Sequence, residues 1–146
     1  MQHRNRWMIV ILIIAALQLA ACAQTPVKAG KIEPAKVEPI EGSDFKRVVL
    51  TEKAAERLDI QTALVREEQV DGTQRLVVPY AALIYGLKGE TWAYTNPEPL
   101  VFVRQLISID YIEGDLAVLL EGPPAGTAVV TVGGALLYGA ETGVSK

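Results

Sequence analysis

The chain predicts a mainly β fold, a small barrel or sandwich with one short helix near residues 52–58. Three observations carry that prediction. From Leu76 onward, apolar residues come in short runs or at period two, which is strand spacing. Turn signals rich in Gly and Pro separate those runs at close intervals, as in small all-β domains. Residues 46–146 are enough for one small domain and too few for two.

The elements follow in order. Residues 23–45 place Pro26, Pro34 and Pro39 among alternating Lys and Glu, with few large apolar side chains, and so predict a flexible tether. In extended form it would reach about 70 Å. Val48-Val49-Leu50 is a short strand. Thr51 is an N-cap candidate, Glu52 suits the first helical turn, and Ala54, Ala55 and Leu58 form one apolar face. Ile60 to Val65 is again strand. Leu76-Val77-Val78 stops at Pro79, which predicts an edge or terminal strand. Leu83–Tyr85 and Thr91–Thr95 flank Gly86-Leu87-Lys88-Gly89 and predict a hairpin. Asn96-Pro97-Glu98-Pro99 reads as a stiff turn. Val101, Val103, Ile107, Ile109 and Tyr111 mark one face of a long strand, with Gln105 breaking it. Glu113-Gly114-Asp115 turns the chain into Leu116–Leu120, and Pro123-Pro124-Ala125-Gly126 turns it into Ala128–Val132.

The N-terminus has the order of a secretory signal. His3, Arg4 and Arg6 precede an apolar run from Trp7 to Leu17, and Leu19-Ala20-Ala21-Cys22 follows. The run is shorter than the roughly 20 residues a membrane span requires, and Gln18 interrupts it. Leu-Ala-Ala-Cys resembles a bacterial lipobox, which implies cleavage before Cys22 and a diacylglycerol on its sulfur. The chain is thus expected as signal peptide 1–21, lipidated Cys22 with tether 22–45, and β domain 46–146. Ala23, where Asp would retain many Gram-negative lipoproteins in the inner membrane, favours the outer membrane of such an envelope, and the inner membrane stays open as the alternative.

Cleavage would remove Arg4 and Arg6 and no acids. Of 14 Lys and Arg, 12 remain against 17 Asp and Glu, a net charge of −5. That balance gives no support for nucleic-acid binding. His3, Met1 and Met8 would leave with the signal, and Cys22 would be capped. No imidazole, thioether or free thiol would then remain for copper, zinc or a Ser-His or Cys-His nucleophile. Neither a cofactor nor a metal is expected, and binding rather than catalysis is. Asp110, Glu113 and Asp115 cluster at one turn but lack the ligand spacing of a Ca²⁺ loop. Trp92 and Phe102 are expected in the core.

Several ordered segments resemble the C-terminal region of periplasmic adaptors, the membrane fusion proteins of tripartite efflux systems. They are Val78-Pro79-Tyr80-Ala81-Ala82-Leu83, Gly89 through Trp92-Ala93-Tyr94, Val101-Phe102-Val103-Arg104, Glu121 through Val130, and Gly133-Gly134-Ala135-Leu136-Leu137. Val49 through Ala63 resembles a segment found further upstream in that family. The resemblance implies the membrane-proximal module, docked on a transporter or another adaptor. The gap between Val65 and Leu76 has no room for the family's lipoyl domain or helical hairpin. Tyr and Arg anchor interfaces, so Tyr80, Arg104 and Tyr138 are the expected partner-contact residues. The alternative is a free-standing envelope lipoprotein using the same domain to bind a ligand or to act as a scaffold.

Overall fold

The computed structural model describes residues 33–86 and 88–143. The signal sequence, Cys22 and Ala23 lie outside the described residues. Ten strands and two helices follow one another: β1 Ala35–Pro39, β2 Lys46–Leu50, α1 Glu52–Arg57, β3 Gln61–Leu64, β4 Arg66–Val70, β5 Thr73–Pro79, β6 Ile84–Tyr85, β7 Thr91–Glu98, β8 Val101–Glu113, β9 Leu116–Glu121, β10 Ala128–Val132 and α2 Gly134–Thr142. A 3₁₀ turn, Tyr80–Ala82, joins β5 to β6. All strand pairs are antiparallel, in the order β3-β10-β7-β8-β9-β5-β4, with β1-β2 added to β8 and β6 to β7. The fold is mainly β, as the sequence predicts, and its curled sheet forms half a barrel.

Thr51 caps α1 as expected: its Oγ1 accepts from the Ala54 N–H at 3.2 Å. The hairpin at Gly114 between β8 and β9 also forms, and Gly126 turns the chain from β9 into β10, with φ of +57° and +86° that glycine adopts without a Cβ clash. β8 is the long strand, at 13 residues. It pairs with β2 through Val101–Val103, with β7 through Ile107, and with β9 from Ser108 onward. Register shifts at Ser108–Tyr111 mark a bulge at the changeover to β9.

β7, β8 and β10 are buried on both faces. Ala93, Ile107 and Val129 point into one core with Val65, Val78 and Leu119. Tyr94, Phe102 and Val130 point into a second core with Val48, Leu50 and Leu137. Consecutive buried residues such as Ala93-Tyr94 and Val129-Val130 follow directly, because neighbouring side chains leave a strand on opposite faces.

Several expectations are corrected. Residues 35–39 of the expected tether form β1, paired from Ala35↔Leu50 to Pro39↔Lys46. The Pro residues permit this because an edge strand tolerates a missing N–H donor. β5 is an interior strand between β9 and β4, and Pro79 is only its last residue. Its second neighbour, β4, arrives through Asp71-Gly72, whose φ values of +49° and +75° suit a tight two-residue hairpin. The stiff turn expected at 96–99 is instead the irregular end of β7, with a register shift between Thr95 and Glu98 and the reversal at Leu100, φ +63°. The C-terminal segment is helix α2. It opens at Gly133, φ +90°, and closes at Gly143, φ +75°. A Cβ on Gly133 would also collide with the Ile60 side chain.

Candidate binding site around Arg104

Register places Arg104 of β8 opposite Tyr94 of β7, with Trp92 two residues away on the same face. α2 lies over that face and brings Tyr138 and Glu141, three residues apart and therefore on one side of the helix. Phe45 enters just before β2. The Arg104 guanidinium carbon lies 4.6 Å from the Trp92 ring centroid, 5.1 Å from Tyr138 and 5.3 Å from Phe45. Phe45 meets Trp92 edge-on at 5.2 Å. Each such cation–π contact contributes about 0.5–2 kcal/mol, rising as water is excluded.

The charge is compensated from the helix side. Arg104 Nη2 donates to Glu141 Oε1 at 3.1 Å, and the Tyr94 hydroxyl donates to Glu141 Oε2. The Arg104 side chain is 13 % exposed and that of Glu141 2 %. Arg104 Nε is buried without a partner among the described residues. Burial pushes the Tyr94 phenol far above its ordinary value of 10, and its bond to the Glu141 carboxylate pushes it further. The phenol therefore stays protonated and keeps donating.

A groove of about 200 Å³ opens beside the guanidinium, between Trp92 and Tyr138, with Gly86, Lys88 and Glu90 on its other side. The Lys88 N–H donates to Glu90 Oε2 at 3.1 Å. A Cβ on Gly86 would sit 2.5 Å from Glu90 Oε2 and 2.9 Å from Trp92 Nε1, so a larger residue there would displace the Glu90 carboxylate and crowd the Trp92 ring. The groove thus offers guanidinium donors and two aromatic faces, which is the chemistry of recognition.

Of the three expected contact residues, the structure brings Arg104 and Tyr138 together and leaves Tyr80 elsewhere. Arg104 is largely buried, its charge taken up by Glu141 and three rings, and its remaining open edge lines the groove. Tyr138 is half-buried against it. Tyr80 is 47 % exposed on the 3₁₀ turn and Tyr85 is 54 % exposed; burial, and then the hydrogen bond with Tyr80, push the Tyr85 phenol above its ordinary value. Phe102 is core as expected, whereas Trp92 is only half-buried and lines the groove. Phe45 and Glu141 were not singled out in the sequence; period-two phasing of Phe102 with Arg104 is the one signal that pointed inward. Asp110 pairs with Arg75 at 2.6 Å, while Glu113 and Asp115 are exposed at the hairpin. Among the described residues no group of three His, Cys, Asp or Glu is arranged to hold a metal, and no helix is long and apolar enough to cross a membrane.

No protein-family model, curated protein or solved structure matches the chain. The likeness to efflux adaptors rests on the quoted segments alone.

Proposed function

We propose that this chain is a lipid-anchored envelope protein that docks on a transporter or adaptor assembly and acts by binding. The observation that carries the reading is the exposed aromatic pair, Tyr80 and Tyr85, beside a β domain whose two cores are filled. Large aromatic side chains left in water on a rigid turn and strand are the anchors that interfaces use. The ordered adaptor-like segments supply the class of partner, and the signal-like N-terminus with Cys22 supplies the anchor. Photocrosslinking in cells from benzoylphenylalanine at position 85 tests it. Transporter or adaptor subunits are expected among the products, and Tyr80→Ser should cut the yield severalfold. Products containing neither class of subunit sink the docking reading. Separating the two membranes on a sucrose gradient tests the outer-membrane expectation from Ala23.

The groove beside Arg104 favours a second reading, a free-standing envelope module that binds a small ligand. A carboxylate seated there would take the guanidinium donors that Glu141 leaves unused. Calorimetric titration with acetate and benzoate checks it: heat that persists unchanged in Trp92→Ala rules this groove out.

A further inference from the structure

The two helices frame a second groove, of different chemistry. α1 and α2 both pack on the second core, and a cavity of about 300 Å³ lies open where their residues meet Pro34 and Ala35. Its floor is Leu50 and Leu137, which belong to the core and are held by the sheet, so the floor is preformed. Leu58 of the α1 end and Leu136 of α2 form its walls. Leu136 is 54 % exposed, an unusual cost for a leucine on a helix whose neighbour Leu137 is fully buried. A single charged group, Arg57, borders this otherwise apolar lining. Arg57 is exposed and makes none of the ion pairs among the described residues.

We infer that this groove binds a free medium-chain fatty acid, its alkyl chain between Leu58 and Leu136 and its carboxylate on Arg57. Shape and charge both point there. The volume equals that of about ten waters, which suits a stretch of alkyl chain and is too small for a folded partner element. The lining has no donor or acceptor side chain other than Arg57, so a polar ligand would lose its water without compensation. One guanidinium at the edge of an apolar slot complements one carboxylate at the end of an alkyl chain. A neutral hydrocarbon would leave Arg57 unused, and a bilayer would need an extended apolar face rather than a slot.

The full chain, with its leucine methyls labelled, titrated with dodecanoic acid, tests this assignment. Leu58, Leu136 and Leu137 methyl signals should shift saturably with one-to-one stoichiometry. Arg57→Ala should weaken binding about two- to fivefold, the worth of an exposed ion pair, and dodecanol should bind the parent chain as weakly as dodecanoate binds that variant. Leu136→Asp, at a half-exposed position where the fold should survive, should abolish the shifts while the thermal unfolding midpoint stays near that of the parent. Methyl signals unmoved at millimolar dodecanoate overturn the assignment. So does equal affinity for dodecanoate and dodecanol. Phosphatidylglycerol vesicles that shift the same methyls without any fatty acid would reassign the groove to the membrane surface and overturn it equally.

Discussion

Two hydrophobic cores lie on opposite faces of β7, β8 and β10, and they are built differently. The first is aliphatic throughout, with Val65, Val78, Ile107, Leu119 and Val129 interlocked inside the curled sheet. The second packs Val48, Phe102, Val130 and Leu137 around the same strands, but it is sealed by a charge pair. Arg104 and Glu141 tie β8 to α2, and Tyr94 ties β7 to the same carboxylate. An aliphatic core draws its stability from area and tolerates small shifts. A buried ion pair depends on every partner being present, because each charge left alone keeps its desolvation cost. The face that carries α2 should therefore be the more brittle one.

The sharpest way to break that comparison is to remove one charge. Glu141→Ala should cost about 3–5 kcal/mol, since Arg104 is left buried and unpaired. A loss under about 1 kcal/mol in urea unfolding would mean that water reaches Arg104 freely, and the contrast would collapse. Replacing all three partners, Arg104→Met and Glu141→Leu with Tyr94→Phe, should recover most of the loss, because matched apolar residues do not carry the desolvation cost and no hydroxyl is left buried without its acceptor. The aliphatic core gives the reference: Leu119→Ala should cost about 2–5 kcal/mol through lost contact and a cavity, and no second substitution at a charged site should rescue it.

Tyr94→Phe should have a smaller effect, about 1.5–3 kcal/mol, from one hydrogen bond to a charged acceptor. It also carries a pH signature. The folded phenol ionises well above its ordinary value of 10, so the fold favours the protonated form. That contribution is complete below pH 10 and is lost as pH rises above it. The parent should lose stability between pH 10 and 12, and Tyr94→Phe should show a flatter profile there. Parallel profiles would place the alkaline sensitivity elsewhere. The smallest effect belongs to the surface: Arg66 and Glu68 pair at 3.2 Å with exposed side chains, and Glu68→Ala should change stability by less than about 1 kcal/mol.

The strands were legible wherever local chemistry decided them. Thr51 capped its helix, Gly114 turned its hairpin, Gly126 turned the chain into β10, and the apolar runs at 48–50, 116–120 and 128–132 became strands. Asp71-Gly72 is an equally plain hairpin signal, masked in the sequence because the residues before it, Arg66–Gln69, are polar enough to resemble a loop. The site was much less legible. Arg104 and Tyr138 could be picked by residue type, yet their meeting depends on α2 folding back across β8, a contact 34 residues apart in sequence. Glu141 had no local mark of burial at all, since a carboxylate sinks only where a partner waits for it.

By itself the sequence determined the β class, the turns, the first helix, and the net charge with the chemistries it disfavours. Period, capping and glycine placement act over a few residues, so they survive without the rest of the fold. Only the tertiary structure decided that β1 joins the sheet, that β5 is interior, and that Arg104 points inward to Glu141 rather than outward to a partner. Those outcomes depend on which surfaces meet, and side-chain burial, unlike secondary structure, is a property of the whole chain.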